Sequence, residues 1–143
     1  MEPDTDAGQE KVVDMRIRKD DIPVQIDVPG AVVRQTGDFG AQGGAAPLAG
    51  EYLSVGAGLD IAPLLHGLQD DACQAPHWGY VISGHVVVTY TDGDVDECRG
   101  GDLFFWPPGH SVLVVDDAEV ILFSPRAEHL AVVDHMKEQM AKA

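Results

Sequence analysis

The fold is decided by the stretch HWGYVISGHVVVTYTDGDVDECRGGDLFFWPPGH, residues 77–110. It contains two strand patterns that meet at Gly84, and a glycine inside a strand pattern indicates a bulge or a sharp bend. The dipeptide Asp92-Gly93 predicts a hairpin with a type I′ turn, which needs positive φ at both central residues. Further Gly and Pro corners follow. Short strands separated by such turns predict a β-sandwich or a β-barrel.

The β pattern continues upstream of this stretch. Val24, Ile26 and Val28 alternate with polar residues, which predicts a strand with one buried face. The Gly-rich residues 37–50 predict a surface loop. The polar residues 1–13 are expected to form a flexible segment, and residues 14–143 a single domain.

Downstream, the last predicted strand is followed by a helix signal. Ser124-Pro125 predicts a helix start, with the serine as N-cap and the proline at the first helical position. Apolar residues then recur at helical spacing, which predicts a C-terminal helix packed on the barrel. These residues are Leu130, Val133, Met136 and Met140.

Composition limits the range of functions. The 143 residues fit one domain, and 45% hydrophobic content is enough for a core. With 9 Lys and Arg against 24 Asp and Glu, the formal net charge is −15, so nucleic acid and membrane surfaces are not expected as partners. No secretory signal or transmembrane stretch is present, and the two cysteines imply no disulfide framework. A cytoplasmic protein is expected.

Residues 70–125 resemble the cupin superfamily. Gly84 matches the closing glycine of its first motif, and Gly101, Pro107 and Gly109 match the front of its second motif. The segments CQAPHWGYV, WPPGH and FSP are similar to those of an uncharacterised bacterial cupin subfamily. The resemblance implies an all-β fold, the cupin double-stranded β-helix or jelly-roll barrel, with a short C-terminal α-helix.

The metal ligands that the superfamily usually provides are not carried over to this chain. His77 stands at the position of the usual glutamate, and Cys73 and Asp71 stand where two histidines are expected. Val112 occupies the position of the last ligand. Because all four positions depart from the pattern, the three-histidine, one-glutamate set is not predicted.

A different metal site remains open. Cys73, His77 and His110 are predicted to converge at the barrel mouth and to bind a divalent ion such as zinc, iron, nickel or manganese. Three protein ligands would leave one coordination position for water or substrate. Asp71 shares parity with Cys73 and His77 and is expected on the same face. In the alternative, Cys73 is a small buried hydrophobe and the histidines are satisfied by backbone hydrogen bonds.

Other side chains are assigned to the same pocket. His77, Tyr90 and His110 are the predicted catalytic residues, Tyr90 as an acid or hydrogen-bond donor. His129 and His135, on the C-terminal helix, are expected to be solvated. The predicted substrate pocket comprises Asp71, Tyr80, Trp106 and Val112. The alternative places the aromatic residues in the core or in a dimer interface.

Two functions follow from these patterns. One is a small cupin barrel that binds a small organic molecule and acts on it with a metal, as an oxygenase, an isomerase or a lyase. The other is a metal-free, non-catalytic cupin that binds a small molecule. A homodimer is expected, since pairing hides exposed strand edges, and residues 23–28 are the predicted segment that crosses to the partner.

Overall fold

In the computed structural model of this protein, residues 15–40 and 47–142 are described, and they form seven β-strands and one α-helix. The predicted flexible segment 1–13 and residues 41–46 of the predicted surface loop lie outside the described residues. The ends of that predicted loop, residues 37–39 and 48–50, belong to strands instead. Short 3₁₀ turns cover Lys19–Asp21, Ala62–Leu65 and Gln69–Asp71. The strands and the helix are β1 (Val24–Val28), β2 (Ala31–Phe39), β3 (Leu48–Val55), β4 (His77–Tyr90), β5 (Val95–Arg99), β6 (Leu103–Trp106), β7 (His110–Pro125) and α1 (Arg126–Lys142).

All strand pairs are antiparallel, in the order β1-β2-β3-β7-β4-β5. The long strands β4 and β7 pair along most of their length, while β6 pairs with the first part of β4 and β5 with the last part. Strand β1 is an edge strand, paired with β2 of the same chain. The described chain is therefore mostly β, as predicted. In residues 15–40 and 47–142, no helix has the length and hydropathy needed to cross a bilayer.

The predicted irregularity at Gly84 is confirmed. Its φ is +95°, and a Cβ atom at this position would lie 2.2 Å from the carbonyl oxygen of Asp117. The register of β4 against β7 shifts on both sides of this glycine. The shift also changes which residues face inward. The odd-numbered Val81 is buried before the bend, whereas the even-numbered Val86 and Val88 are buried after it.

The turn at Asp92-Gly93 is a hairpin, but the predicted type I′ geometry is wrong. Gly93 has a φ of +94°, whereas Asp92 keeps a negative φ. The Gly93 N–H donates to the carbonyl of Tyr90, and the Tyr90 N–H donates to the carbonyl of Asp94. A three-residue loop with glycine in the left-handed region needs only one residue of positive φ. Gly93 is that residue, so Asp92 can keep a negative φ.

The C-terminal helix begins one residue later than predicted. Ser124 lies in β7, where it pairs with Ala49, and it is fully buried, so the prediction that it caps the helix is wrong. The helix begins at Arg126, directly after Pro125. Sheet pairing of β7 with β3 continues through Pro125 and keeps both residues extended.

Two packed clusters surround the interior. The larger is the barrel core, built around Val81, Val86, Val88 and Val120. The smaller joins the helix to the segment before β4 and contains Leu65, Cys73, Ala75 and Val132. A cavity of about 310 Å³ is lined by residues of both clusters. This cavity lies where the barrel and the helix meet.

Candidate metal centre and cavity

The cavity wall is chiefly aliphatic, with residues contributed by strands β1 to β4, β6 and β7 and by α1. Its volume of about 310 Å³ is roughly twice that of an engineered apolar cavity of about 150 Å³ that binds benzene. The ionisable side chains that line it are Glu51, Asp60, Cys73, His77, His110 and His129. A small organic molecule would therefore meet apolar groups over most of its surface and a few polar groups.

Three of these side chains form a compact donor cluster. The ligand atoms of Cys73, His77 and His110 lie within 4.8 Å of one another, and all three residues are buried. An isolated β-bridge holds Cys73 beside His110, with the Cys73 N–H donating to the His110 carbonyl over 2.8 Å. His77 enters the cluster as the first residue of β4. The predicted convergence of these three residues is thus observed, and the cluster could hold a metal ion.

Hydrogen bonds fix the orientation of both imidazole rings. The Nδ1–H of His110 donates to the carbonyl of Pro107 over 2.8 Å, which leaves its Nε2 with a lone pair. Nδ1 of His77 is hydrogen-bonded to the hydroxyl of Ser124. Its Nε2 lies 3.6 Å from the sulfur of Cys73. Such partners on the outer nitrogen are typical of histidines that ligate metals through the other nitrogen.

Burial governs the protonation of the cluster in the absence of a metal. It raises the pKa of the Cys73 thiol to about 12, and the carboxylate of Glu51 adds to the increase while the hydrogen bond to Ala75 opposes it. Burial also lowers the pKa of His77 well below its ordinary value, and lowers that of His110. The neighbouring imidazole of His129 contributes to both decreases. Two neutral imidazoles and a protonated thiol are expected near neutral pH.

A second polar group borders the same cavity, and the sequence did not predict it. Nε2 of His129, on α1, lies 3.2 Å from a carboxylate oxygen of Glu51 on β3. The other carboxylate oxygen accepts a hydrogen bond of 3.3 Å from the amide of Gln35. The rings of His129 and His77 are 4.7 Å apart, centre to centre. Glu51 and His129 are 6% and 3% exposed, so the prediction that His129 is solvated is wrong.

Helical spacing indicates that His129 faces the interior. It precedes the buried residues Val132 and Val133 by three and four positions, which places all three on one face of α1. Glu51 alternates with Leu53 and Val55 on β3, and all three line the cavity. Periodicity thus marks both residues as inward-facing. Their mutual contact joins positions far apart in the chain, which periodicity does not reveal.

Trp106 and Val112, which the sequence assigns to a substrate pocket, both line the cavity. The Trp106 ring stacks on Phe104 at 3.9 Å and lies 5.7 Å from the ring of His110. Trp106 is 2% exposed, so it belongs to the barrel core and also forms a wall beside the donor cluster. Val112 stands at the usual last-ligand position and offers only methyl groups.

Three other predicted pocket residues lie elsewhere. Asp71 is exposed in a 3₁₀ turn, where its φ of +51° breaks the extended run assumed for it and its carboxylate accepts the N–H of Gly67. Tyr80 is 43% exposed, because on β4 it faces the side opposite to His77. Tyr90 lines a separate surface depression beside Pro107–Gly109, and burial chiefly raises its pKa. None of these three side chains lines the central cavity.

Comparison with known proteins identifies the fold. No protein family profile matches the chain, and no curated protein matches its sequence. Among solved structures, an RmlC-like cupin from Shewanella frigidimarina superposes with a TM-score of 0.53 at 19% identity, covering 80% of this chain and 93% of that one. KdgF from Halomonas sp. superposes with a TM-score of 0.52 at 18% identity, covering 79% and 96%.

The chain has the cupin fold. An S161A mutant of the Bacillus subtilis oxalate decarboxylase OxdC is also similar, with a TM-score of 0.59 at 21% identity. The match covers 85% of this chain and 31% of the decarboxylase, so the chain spans about a third of that relative's length. Superpositions at identities of this size show the fold alone, and it is the fold expected from the sequence motifs. The cupin barrel therefore carries a donor set of its own, Cys73, His77 and His110.

Proposed function

We propose that this protein is a metal-dependent cupin that binds a small, largely apolar organic molecule in its cavity and acts on it with the aid of the metal. The observation that carries the proposal is the position of the donor cluster. Three metal-ligating side chains, with ligand atoms within 4.8 Å, are buried at the wall of a cavity of about 310 Å³. Metal donors beside an apolar ligand space are the arrangement expected of a catalytic or ligand-binding centre.

The donor chemistry fits a borderline-soft divalent ion, zinc above all. Cys73 would provide a thiolate sulfur, and His77 and His110 would each provide Nε2, since Nδ1 of each ring already has a hydrogen-bond partner. Three protein ligands leave a coordination position open. An ion held there would supply Lewis-acid chemistry, polarising a carbonyl or lowering the pKa of a bound water.

The chain's own residues would prepare the site for that chemistry. Both imidazoles are held in the neutral form by burial, so they can donate lone pairs without first losing a proton. The Cys73 thiol must release its proton when the metal binds, which makes binding weaker at low pH. The aliphatic lining and the ring of Trp106 exclude water from the ligand. Oxygenation, isomerisation and lyase chemistry are the reaction classes proposed.

One observation favours the alternative, a metal-free cupin that binds a small molecule without catalysis. Each donor already has a partner in the chain, because the thiol of Cys73 donates to the carbonyl of Ala75 and the two imidazoles bond to Ser124 and Pro107. The cluster is therefore a satisfied polar group even without an ion. Metal content separates the two functions.

Elemental analysis of protein purified without an affinity tag or added metal tests the proposal. We expect near-stoichiometric metal in the wild type and its loss in Cys73→Ala and His110→Ala, with circular dichroism spectra unchanged. Cys98→Ala is the matched control, because Cys98 is also a free, buried cysteine but belongs to the barrel core. A wild type without metal, which also acquires none when zinc, iron, nickel or manganese is added, would contradict the metal centre and support the alternative.

A further inference from the structure

The paired residues Glu51 and His129 have no role in the donor cluster, yet they are among the most buried polar groups of the chain. We propose that His129, held in place by Glu51, is the hydrogen-bonding anchor for the cavity's ligand, and that this ligand carries a hydroxyl group on an otherwise apolar skeleton. The inference rests on the proposed binding of a small molecule in the cavity and names the chemical class of that molecule.

The first support is an unpartnered nitrogen. Nδ1 of His129 is buried and has no hydrogen-bond partner among the described residues, although the residue is 97% buried and lines the cavity. Buried polar atoms in proteins are nearly always hydrogen-bonded, and leaving one unsatisfied is costly. A ligand in the cavity would supply the missing partner.

The second support is the fixed orientation of the ring. A carboxylate can only accept hydrogen bonds, so Nε2 of His129, 3.2 Å from Glu51, carries the hydrogen. Nδ1 is then the nitrogen left without a partner, and a hydroxyl group can pair with it because a hydroxyl both donates and accepts hydrogen bonds. Gln35 holds the carboxylate from its other side, so this nitrogen is directed by a chain of three buried side chains.

The chemical class of the ligand follows from this nitrogen and its surroundings. An unpartnered nitrogen in an apolar wall favours a neutral hydrogen-bonding group, and a hydroxyl group adds no charge to a desolvated cavity. Apart from the donor cluster, Asp60 and Trp106, the remaining lining is chiefly aliphatic. A water molecule could satisfy the same nitrogen, so the test must compare molecules that differ only in the hydroxyl group.

Phenol and toluene are such a pair, because a hydroxyl in one replaces a methyl in the other at nearly equal size. We expect the affinity of phenol relative to toluene to be about tenfold higher in the wild type than in His129→Leu, the factor for one well-formed hydrogen bond. Comparing this ratio between two proteins cancels the stronger hydration of phenol in water. Titration calorimetry on EDTA-treated protein gives the ratio without a contribution from the metal, and the metal-loaded protein is measured alongside.

Three variants assign the preference to His129. His129→Leu should lower the affinity ratio of phenol to toluene about tenfold, since the hydroxyl of phenol would then be buried without a partner. His129→Asn should restore part of it, because its amide oxygen reaches the position of Nδ1. His135→Leu is the matched control, since it makes the same change six residues later on α1, at a histidine that bonds to the carbonyl of His66 outside the cavity.

Each outcome decides the inference. An affinity ratio that is the same in the wild type and in His129→Leu would overturn the role of His129 and leave the metal-dependent function standing. Binding of neither probe by the wild type would overturn the ligand-binding cavity and this inference together. A wild type that takes up no metal, but whose affinity ratio falls in His129→Leu, would overturn the metal centre alone.

Discussion

Lowering the pH from 7 to 5 should destabilise the metal-free protein, because His77 and His110 are buried as neutral imidazoles. An unfolded histidine has a pKa of about 6.5, and burial lowers both folded-state values. Below that pH the unfolded chain takes up protons that the folded chain does not, so the free energy of unfolding falls as the pH falls. A histidine that stays neutral throughout loses about 1.9 kcal/mol between pH 7 and pH 5, and two such residues lose at most ~4 kcal/mol.

Urea denaturation of EDTA-treated protein at pH 7, 6 and 5 measures this loss. Other groups of so acidic a chain also titrate in this range, so the decisive quantity is a difference between proteins. His77→Gln should lose about 1.9 kcal/mol less than the wild type over the same interval. His66→Gln is the control, since its imidazole is exposed and lies outside the cluster. An equal loss in His77→Gln and the wild type would show that His77 is protonated in the folded state and would refute the reasoning.

Three further predictions concern the support of the site and the outer surface. Ser124→Ala removes the hydrogen-bond partner of His77 Nδ1 and should weaken metal binding about 10–100-fold in a metal titration. A metal affinity within about twofold of the wild-type value would contradict this prediction. Gly79→Ala would place a Cβ 2.2 Å from the carbonyl oxygen of Ile121, and thermal unfolding should show a loss of more than about 2 kcal/mol or no folded protein; an unchanged melting temperature would disprove the clash. The homodimer stays a prediction, and sedimentation velocity of the wild type and of Trp78→Glu tests it on the outer face, where Trp78 is 49% exposed; a monomeric wild type would contradict it.

The fold and the donor cluster were predictable because their signals are local. Glycine and proline corners divide the chain into strands, and the bend at Gly84 follows from a single residue in a strand pattern. Cys73 and His77 lie four residues apart in a short segment, and His110 follows the corner that begins β7. Spacing therefore places Cys73 and His77 on one face, whereas the approach of His110 was expected from the resemblance to the cupin motifs.

The wrong predictions arose where a local pattern had two physical outcomes. Ser124-Pro125 is a common helix start, but sheet pairing with β3 keeps the serine extended and gives its hydroxyl to His77. Asp71 has the right parity for the pocket only if its segment is extended, and a 3₁₀ turn with positive φ replaces that segment. Tyr80 has the opposite parity to His77 on one strand, so period-two geometry already excludes it from the same face.

The donor cluster lies at the junction of barrel and helix, and its residues differ from the three histidines and one glutamate that usually bind the metal in cupins. Cys73 packs with Leu65 and Val132 in the helix-side cluster, whereas Trp106 belongs to the barrel core. The strand position that usually ends the ligand set holds Val112, which lines the cavity with methyl groups.

Other polar groups reach the cavity through Cys73, from the segment before β4, and through His129, from α1. The barrel then supplies the apolar walls and the orienting hydrogen bonds, while the segments that cover it supply part of the polar lining. A shared fold with so different a site is expected when function depends on the side chains placed on a scaffold and not on the scaffold itself. Packing of the helix against the barrel is consequently part of the site, because it determines where His129 stands relative to His77, 4.7 Å away between ring centres.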